Sequence, residues 1–134
     1  MRSFLFYVFL MGTVLLVSAC HSKTVLVEKS NFMDPLNKLD FDIDALDKDG
    51  LIGTASGKVS VDYEFCIPKG EEFEKQVLAI DPEIKIYTQS MGRSGCGKTQ
   101  SLVIGNTHKV GHQKILIAFS SLDFVKQIKR VWWE

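Results

Sequence analysis

The sequence has no surplus of either charge. Its 134 residues carry sixteen Lys and Arg against sixteen Asp and Glu, a formal net charge of zero. Such a balance leaves no polycationic surface and excludes a general nucleic-acid binder. The low hydrophobicity of a disordered chain is also missing, since 46% of the residues are apolar and 24% charged. The length provides one domain and little more. No apolar run reaches the about 20 residues of a transmembrane helix; Phe4 to Val17 is charge-free but has only fourteen residues. Catalytic patterns are lacking too. There is no Ser-His-Asp order around a nucleophile elbow and no recognisable pair of catalytic carboxylates. Cys66 and Cys96 lie too far apart for a C-x-x-C redox pair. These absences lead to the expectation of a non-enzymatic domain without a cofactor.

What is present begins with an address. Met1, Arg2 and Ser3 form a short positive start, and the fourteen-residue run has the length of a signal-peptide core. It ends in Val17-Ser18-Ala19-Cys20. This resembles the lipobox of bacterial lipoproteins: a branched apolar residue, two small residues and a cysteine. The resemblance covers residues 1–20. It implies that residues 1–19 are removed, that the Cys20 thiol carries a diacylglyceryl group, and that the membrane is a partner through this anchor. Two or three acyl chains, at about 0.8 kcal/mol per buried methylene, make such an attachment effectively permanent. His21 stands where inner-membrane retention usually places Asp. The expected location is therefore the cell envelope, and the periplasmic side of the outer membrane where the cell has one.

With Cys20 lipidated, Cys66 and Cys96 remain. An even pair in an oxidising compartment reads as one disulfide. Closing a loop of about 30 residues stabilises by about 3–4 kcal/mol in the chain-entropy model.

Residues 20–33 read as a lipidated tether. Over 34–53 the expectation is an amphipathic helix and loop. Asp34-Pro35 is a helix start, Leu36, Leu39, Ile43 and Leu46 make one apolar stripe, and Asp49-Gly50 is the stop. The domain proper is placed at 54–134. Lys58 to Ile67 alternates strictly, with Val59, Val61, Tyr63 and Phe65 on one side, and reads as a single strand. Glu71 to Ile80 reads as a helix with Phe73, Val77 and Ile80 inward and three glutamates in its first turn, where the helix dipole favours them. Strands are expected over Ile84–Thr88, Ser101–Ile104 and Gln127–Trp133. Gly111 to Leu122 suits a helix by its length, while Ile115-Leu116-Ile117 would also suit a buried strand. The order β-α-β-β-α-β implies an α+β, ferredoxin-like split βαβ fold with an antiparallel sheet. Its first and third strands are neighbours, which brings Cys66 and Cys96 together. The outline is similar to small regulatory and inhibitor-like modules, including protease propeptides, with no motif favouring any one family.

Four patterns invite chemistry. Gly92, Gly97, Lys98 and Thr99 fit the G-x-x-x-x-G-K-T of a phosphate loop, but a strand rather than a helix is expected after them, so nucleotide binding is rejected. Asp42, Asp44, Asp47 and Asp49 before Gly50 resemble a calcium loop, yet Ala45 and Ser56 occupy the positions of its strongest ligands; they read as a solvated acidic helix face. His108 and His112 would share a helical face and form a weak candidate metal site without a third ligand. Trp132-Trp133 should place one ring in the core and one outside, the latter a possible contact point. The functional expectation is an envelope lipoprotein whose small domain binds another envelope protein, with metal binding through His108 and His112 as the alternative.

Replacing Cys20 by Ala should abolish incorporation of a fatty-acid probe and leave the precursor unprocessed. Equal labelling of the variant would remove the lipoprotein reading.

Overall fold

The computed structural model describes residues Asp34–Trp133; the expected signal, lipobox and tether, with Cys20, lie outside the described residues. The element order is a 3-10 turn Pro35–Lys38, β1 Leu51–Thr54, β2 Gly57–Ser60, β3 Asp62–Pro68, α1 Glu71–Ile80, β4 Lys85–Tyr87, β5 Gln100–Asn106, α2 His112–Ser121 and β6 Lys129–Val131.

Strands β3 to β6 form one sheet in the order β4-β5-β3-β6, every neighbouring pair antiparallel. Two βαβ units, β3-α1-β4 and β5-α2-β6, are thus interleaved, which is the split βαβ arrangement. The central pair β3·β5 runs from Asp62↔Asn106 to Pro68↔Gln100. On one face of β3, Tyr63, Phe65 and Ile67 are buried with Val77 of α1 and Leu116 and Phe119 of α2. The Phe119 ring lies 5.1 Å from that of Phe65 and 6.5 Å from that of Tyr63. Both helices therefore cover this face. Tyr63 lies over Gly105 of β5, where a Cβ would come within 2.4 Å of its ring. Only glycine lets that ring lie flat on the sheet.

The segment that suited either helix or strand is the helix His112–Ser121. In α2, Leu116 and Phe119 reach the core while Ile117 stays half exposed. Three sequence expectations need correction. The helix over 34–49 is a single 3-10 turn. Asp34 does cap it, accepting the Leu36 amide at 3.0 Å. The chain then leaves the helix because its amides are taken elsewhere. Ile128 N–H donates to Lys38 O and Asp40 N–H to Ile128 O, a parallel bridge at Leu39. Asp42 and Asp47 each accept the amide two residues on, the local bonding by which aspartate competes with helix. Ile43 and Leu46 still reach the core, so the stripe marked burial and not helix, and residues 34–53 belong to the same compact unit as the sheet.

The strand over 58–67 is also two strands. Residues up to Ser60 pair with β1 in a hairpin, and those from Asp62 pair in the main sheet. At the switch, Val61 N–H donates to Thr107 Oγ1 at 2.8 Å and Val61 O accepts from Thr107 N–H at 2.9 Å. The same hydroxyl donates to Gly50 O at 2.6 Å. Finally, both tryptophans are exposed, Trp132 by 62% and Trp133 by 68%, because β6 ends at Val131 before either could turn inward.

Replacing Thr107 by Val keeps the shape and removes the hydroxyl, leaving Val61 N–H and Gly50 C=O buried without partners. The expected loss is about 2–4 kcal/mol, read from urea unfolding; a loss near zero would show that the hydroxyl does not hold the switch.

Candidate functional site

Opposed residues of paired strands share a face. The face without helices therefore carries Asp62, Glu64 and Cys66 of β3 beside Leu102 and Ile104 of β5. The glycine-rich loop folds over it. Cys66 and Cys96 are joined as a disulfide with a Cα–Cα distance of 5.4 Å, fastening the loop to β3. Gly92, at φ +57, sits so close that a Cβ would meet Leu102 at 2.6 Å and Glu64 Oε2 at 3.0 Å. Ser94 N–H donates to Glu64 Oε1. Glu64 is thereby buried in mid-sheet with a partner that the sequence pattern did not reveal; its alternation with Tyr63 and Phe65 reads as a solvent-facing position.

These commitments decide the phosphate-loop letters. A phosphate loop aims successive amides at its ligand and opens a helix at its Lys-Thr. Here the amides of Ser94, Cys96 and Gly97 donate to Glu64, to Met91 O at 2.7 Å and to Gln100 Oε1 at 2.9 Å. Strand β5 starts at Gln100, so Lys98 and Thr99 lead into a sheet. A cleft of about 460 Å³ lies beside the disulfide, between Lys69, Met91 and Lys98.

The histidines are not brought together as a helical pair. His108 precedes α2, and His112 is its first residue. His108 Nδ1 lies 3.0 Å from Asp49 O, and His112 Nδ1 lies 3.2 Å from Lys109 O. Each ring is thus oriented by a different carbonyl. His112 is buried, and its Nε2 has no partner. No group of three or more His, Cys, Asp or Glu that could hold a metal ion is found among the described residues.

The acidic segment is a set of turns, which replaces the helical face expected of it. Asp47 Oδ1 accepts the amides of Asp49 and Leu51, and Oδ2 meets Lys58 Nζ at 2.7 Å. The Lys58 ammonium first, and the Leu51 amide next, hold the Asp47 carboxyl down at about 2. Asp49 pairs with Lys48 at 2.8 Å. These carboxylates serve the local fold. Elsewhere, Asp81 and Lys109 form a mostly buried pair at 2.6 Å that ties the end of α1 to the loop before α2. Burial, with the Asp81 charge added, pushes the Tyr63 phenol well above its ordinary range, so this core hydroxyl stays neutral.

The tryptophan pair has a built setting. Arg130 lies 3.6 Å above the Trp132 ring, and Arg93 of the glycine-rich loop lies 5.6 Å from the Trp133 centroid. Trp133 Nε1 donates to Asp62 Oδ2 at 2.5 Å, and the other oxygen of Asp62 accepts from Asn106 Nδ2 at 2.5 Å. Two exposed indoles are thus held in place by two guanidinium groups, a combination enriched at protein–protein hot spots. Neither arginine stands in a sequence pattern that marks it; Arg93 meets Trp133 because the disulfide draws the loop across the sheet.

No family model, no curated protein and no solved structure matches the chain.

The Asp47 carboxyl should titrate at about 2 and move up toward the ordinary 3.8 in Lys58→Met. Because its folded value is depressed, its stabilising contribution is present above the ordinary carboxylate range and is lost as the pH falls through 2. Carbonyl NMR across the acid range checks this; a wild-type midpoint near 3.8 would show that the pair with Lys58 does not form.

Proposed function

We propose that the protein is a lipid-anchored component of a bacterial cell envelope whose domain binds another envelope protein and carries out no catalysis. The observation that carries the protein-binding part is the tryptophan pair: two large exposed aromatics pre-positioned by Arg130, Arg93 and Asp62. Ordering such side chains before binding lowers the entropic cost of an interface. The lipobox at Val17-Ser18-Ala19-Cys20 supports the anchor, and the Cys66–Cys96 disulfide agrees with an oxidising compartment. The separate orientation of His108 and His112 gives the metal-binding alternative no support.

Capture from detergent-solubilised envelope, with the acylated protein as bait, tests the reading. The expected result is a defined protein partner, retained by wild type and lost from Trp132→Ala/Trp133→Ala with the disulfide still formed. Identical capture by both proteins would overturn the assignment of the surface.

A further inference from the structure

A β-ladder that stops halfway leaves main-chain groups to be satisfied from outside. In β3 the phase of the ladder is set by Lys69 N–H donating to Thr99 O and Thr107 N–H to Val61 O. With that phase, Tyr63, Phe65 and Ile67 turn their amides and carbonyls to β5, while Asp62, Glu64 and Cys66 turn theirs to the opposite side. There β6 meets Asp62 with Val131 and Glu64 with Lys129, and the ladder ends. Continued by two residues, it would set Gln127 against Cys66. Gln127 lies outside any strand, and no ladder partner meets Cys66 on this side. The N–H and C=O of Cys66 and the C=O of Pro68 are left outside the ladder.

A cleft of about 210 Å³ opens at this place, lined by Cys66, Ser94, Gly95, Lys126, Gln127 and Lys129. The Ser94 hydroxyl is buried and has no hydrogen-bond partner. Lys126 Nζ donates to Asp123 O at 2.9 Å, and among the described residues neither Lys126 nor Lys129 has a carboxylate within salt-bridge distance. The outer edge of β6, by contrast, is closed: Ile128 N–H goes to Lys38 O and Arg130 N–H to Asp40 Oδ1 at 2.7 Å. The open stretch beside β3 is thus flanked by cations.

We propose that this cleft receives a short, extended, acidic segment of the partner protein, added beside β3 where β6 stops. A partner carbonyl accepts from Cys66 N–H, a partner amide donates to Cys66 C=O, and alternate carboxylate side chains meet Lys126 and Lys129. The disulfide holds the Ser94 side of the cleft against β3, so the site is formed before the segment arrives. This assignment rests on the protein-binding reading above and names the chemistry of the partner.

The full acylated chain in detergent micelles, labelled with nitrogen-15, tests it in two steps. In the free protein the Cys66 amide should exchange with solvent faster than those of Phe65 and Ile67. Protection equal to theirs would mean that the donor is already taken, and would overturn the proposal. The second step titrates a blocked pentapeptide of alternating valine and glutamate, and the same peptide with lysine in place of glutamate. The acidic peptide should give saturable shifts at Cys66, Ser94 and Lys129, weaker at higher salt and about tenfold weaker in Lys126→Glu/Lys129→Glu. Retained Trp132 and Trp133 signals show that this variant is folded. No saturation, or equal binding of both peptides, would overturn the site. In the envelope capture, a partner lost from the tryptophan variant but retained by the lysine variant would sink this inference and leave the binding module standing. Loss from both supports both. Specific peptide binding with no partner captured would keep the site and remove the reading.

Discussion

One buried hydroxyl holds the junction on which the architecture turns. Thr107 is fully enclosed, and its Oγ1 accepts from Val61 N–H while donating to Gly50 O. Three segments meet there: the turns after residue 40, the passage from β2 to β3, and the passage from β5 to α2. Val61 needs this partner because it belongs to neither sheet's ladder. A buried amide without a bond costs as much as a bond is worth, or more. With the hydroxyl in place, an alternating strand can leave a hairpin at Ser60 and enter the main sheet at Asp62 without an orphaned donor. Gly50 is bound to the same spot: at φ +76 its Cβ position falls 1.8 Å from Thr107 O, where no side chain fits.

The helix-free face is organised by a second constraint of the same kind. Left uncovered, Leu102 would lie on an open sheet face and Glu64 would have no amide to bind. The disulfide brings the glycine-rich loop over both, with Gly92 against Leu102 and the Ser94 amide on the Glu64 carboxylate. That loop also delivers Arg93 to Trp133. Covering a sheet and positioning a surface aromatic are thus one structural event. The glycine spacing that resembles a phosphate loop serves close approach to the sheet, and the amides of Ser94, Cys96 and Gly97 go to protein acceptors.

Edge strands tend to recruit other strands unless they are blocked. Here the β6 edge is blocked by Lys38 and the Asp40 carboxylate, and Asp62 ties Trp133 down beyond the strand's end. On this side of the sheet the stretch at Cys66 is left open. The tryptophan pair and this open stretch lie toward opposite ends of the β3–β6 seam, one beyond Val131 and one before Lys129, so an extended partner could engage both.

The sequence by itself determined the elements whose signals are local. The helix over Glu71–Ile80 is set by its apolar spacing, its acidic first turn and its flanking Gly70 and Asp81. The strand order followed from the split βαβ topology, and the Cys66–Cys96 pairing from the cysteine count, with which that topology agrees by setting the first and third strands side by side. The resemblance of Val17-Ser18-Ala19-Cys20 to a lipobox is likewise a matter of consecutive letters. Tertiary structure decided the rest. An apolar stripe at Leu39, Ile43 and Leu46 requires burial, and whether helix or turns supply it depends on which distant amide competes; here Ile128 and the local aspartates won. Alternation from Lys58 to Phe65 is the same for one strand or two, and only Thr107, 46 residues away from Val61, makes the break affordable. Glu64 looks solvent-facing until a loop pinned 30 residues later covers it. The two tryptophans look alternate until the strand beneath them ends. Period and composition report how much surface a residue must bury; which partner buries it is a property of the folded chain.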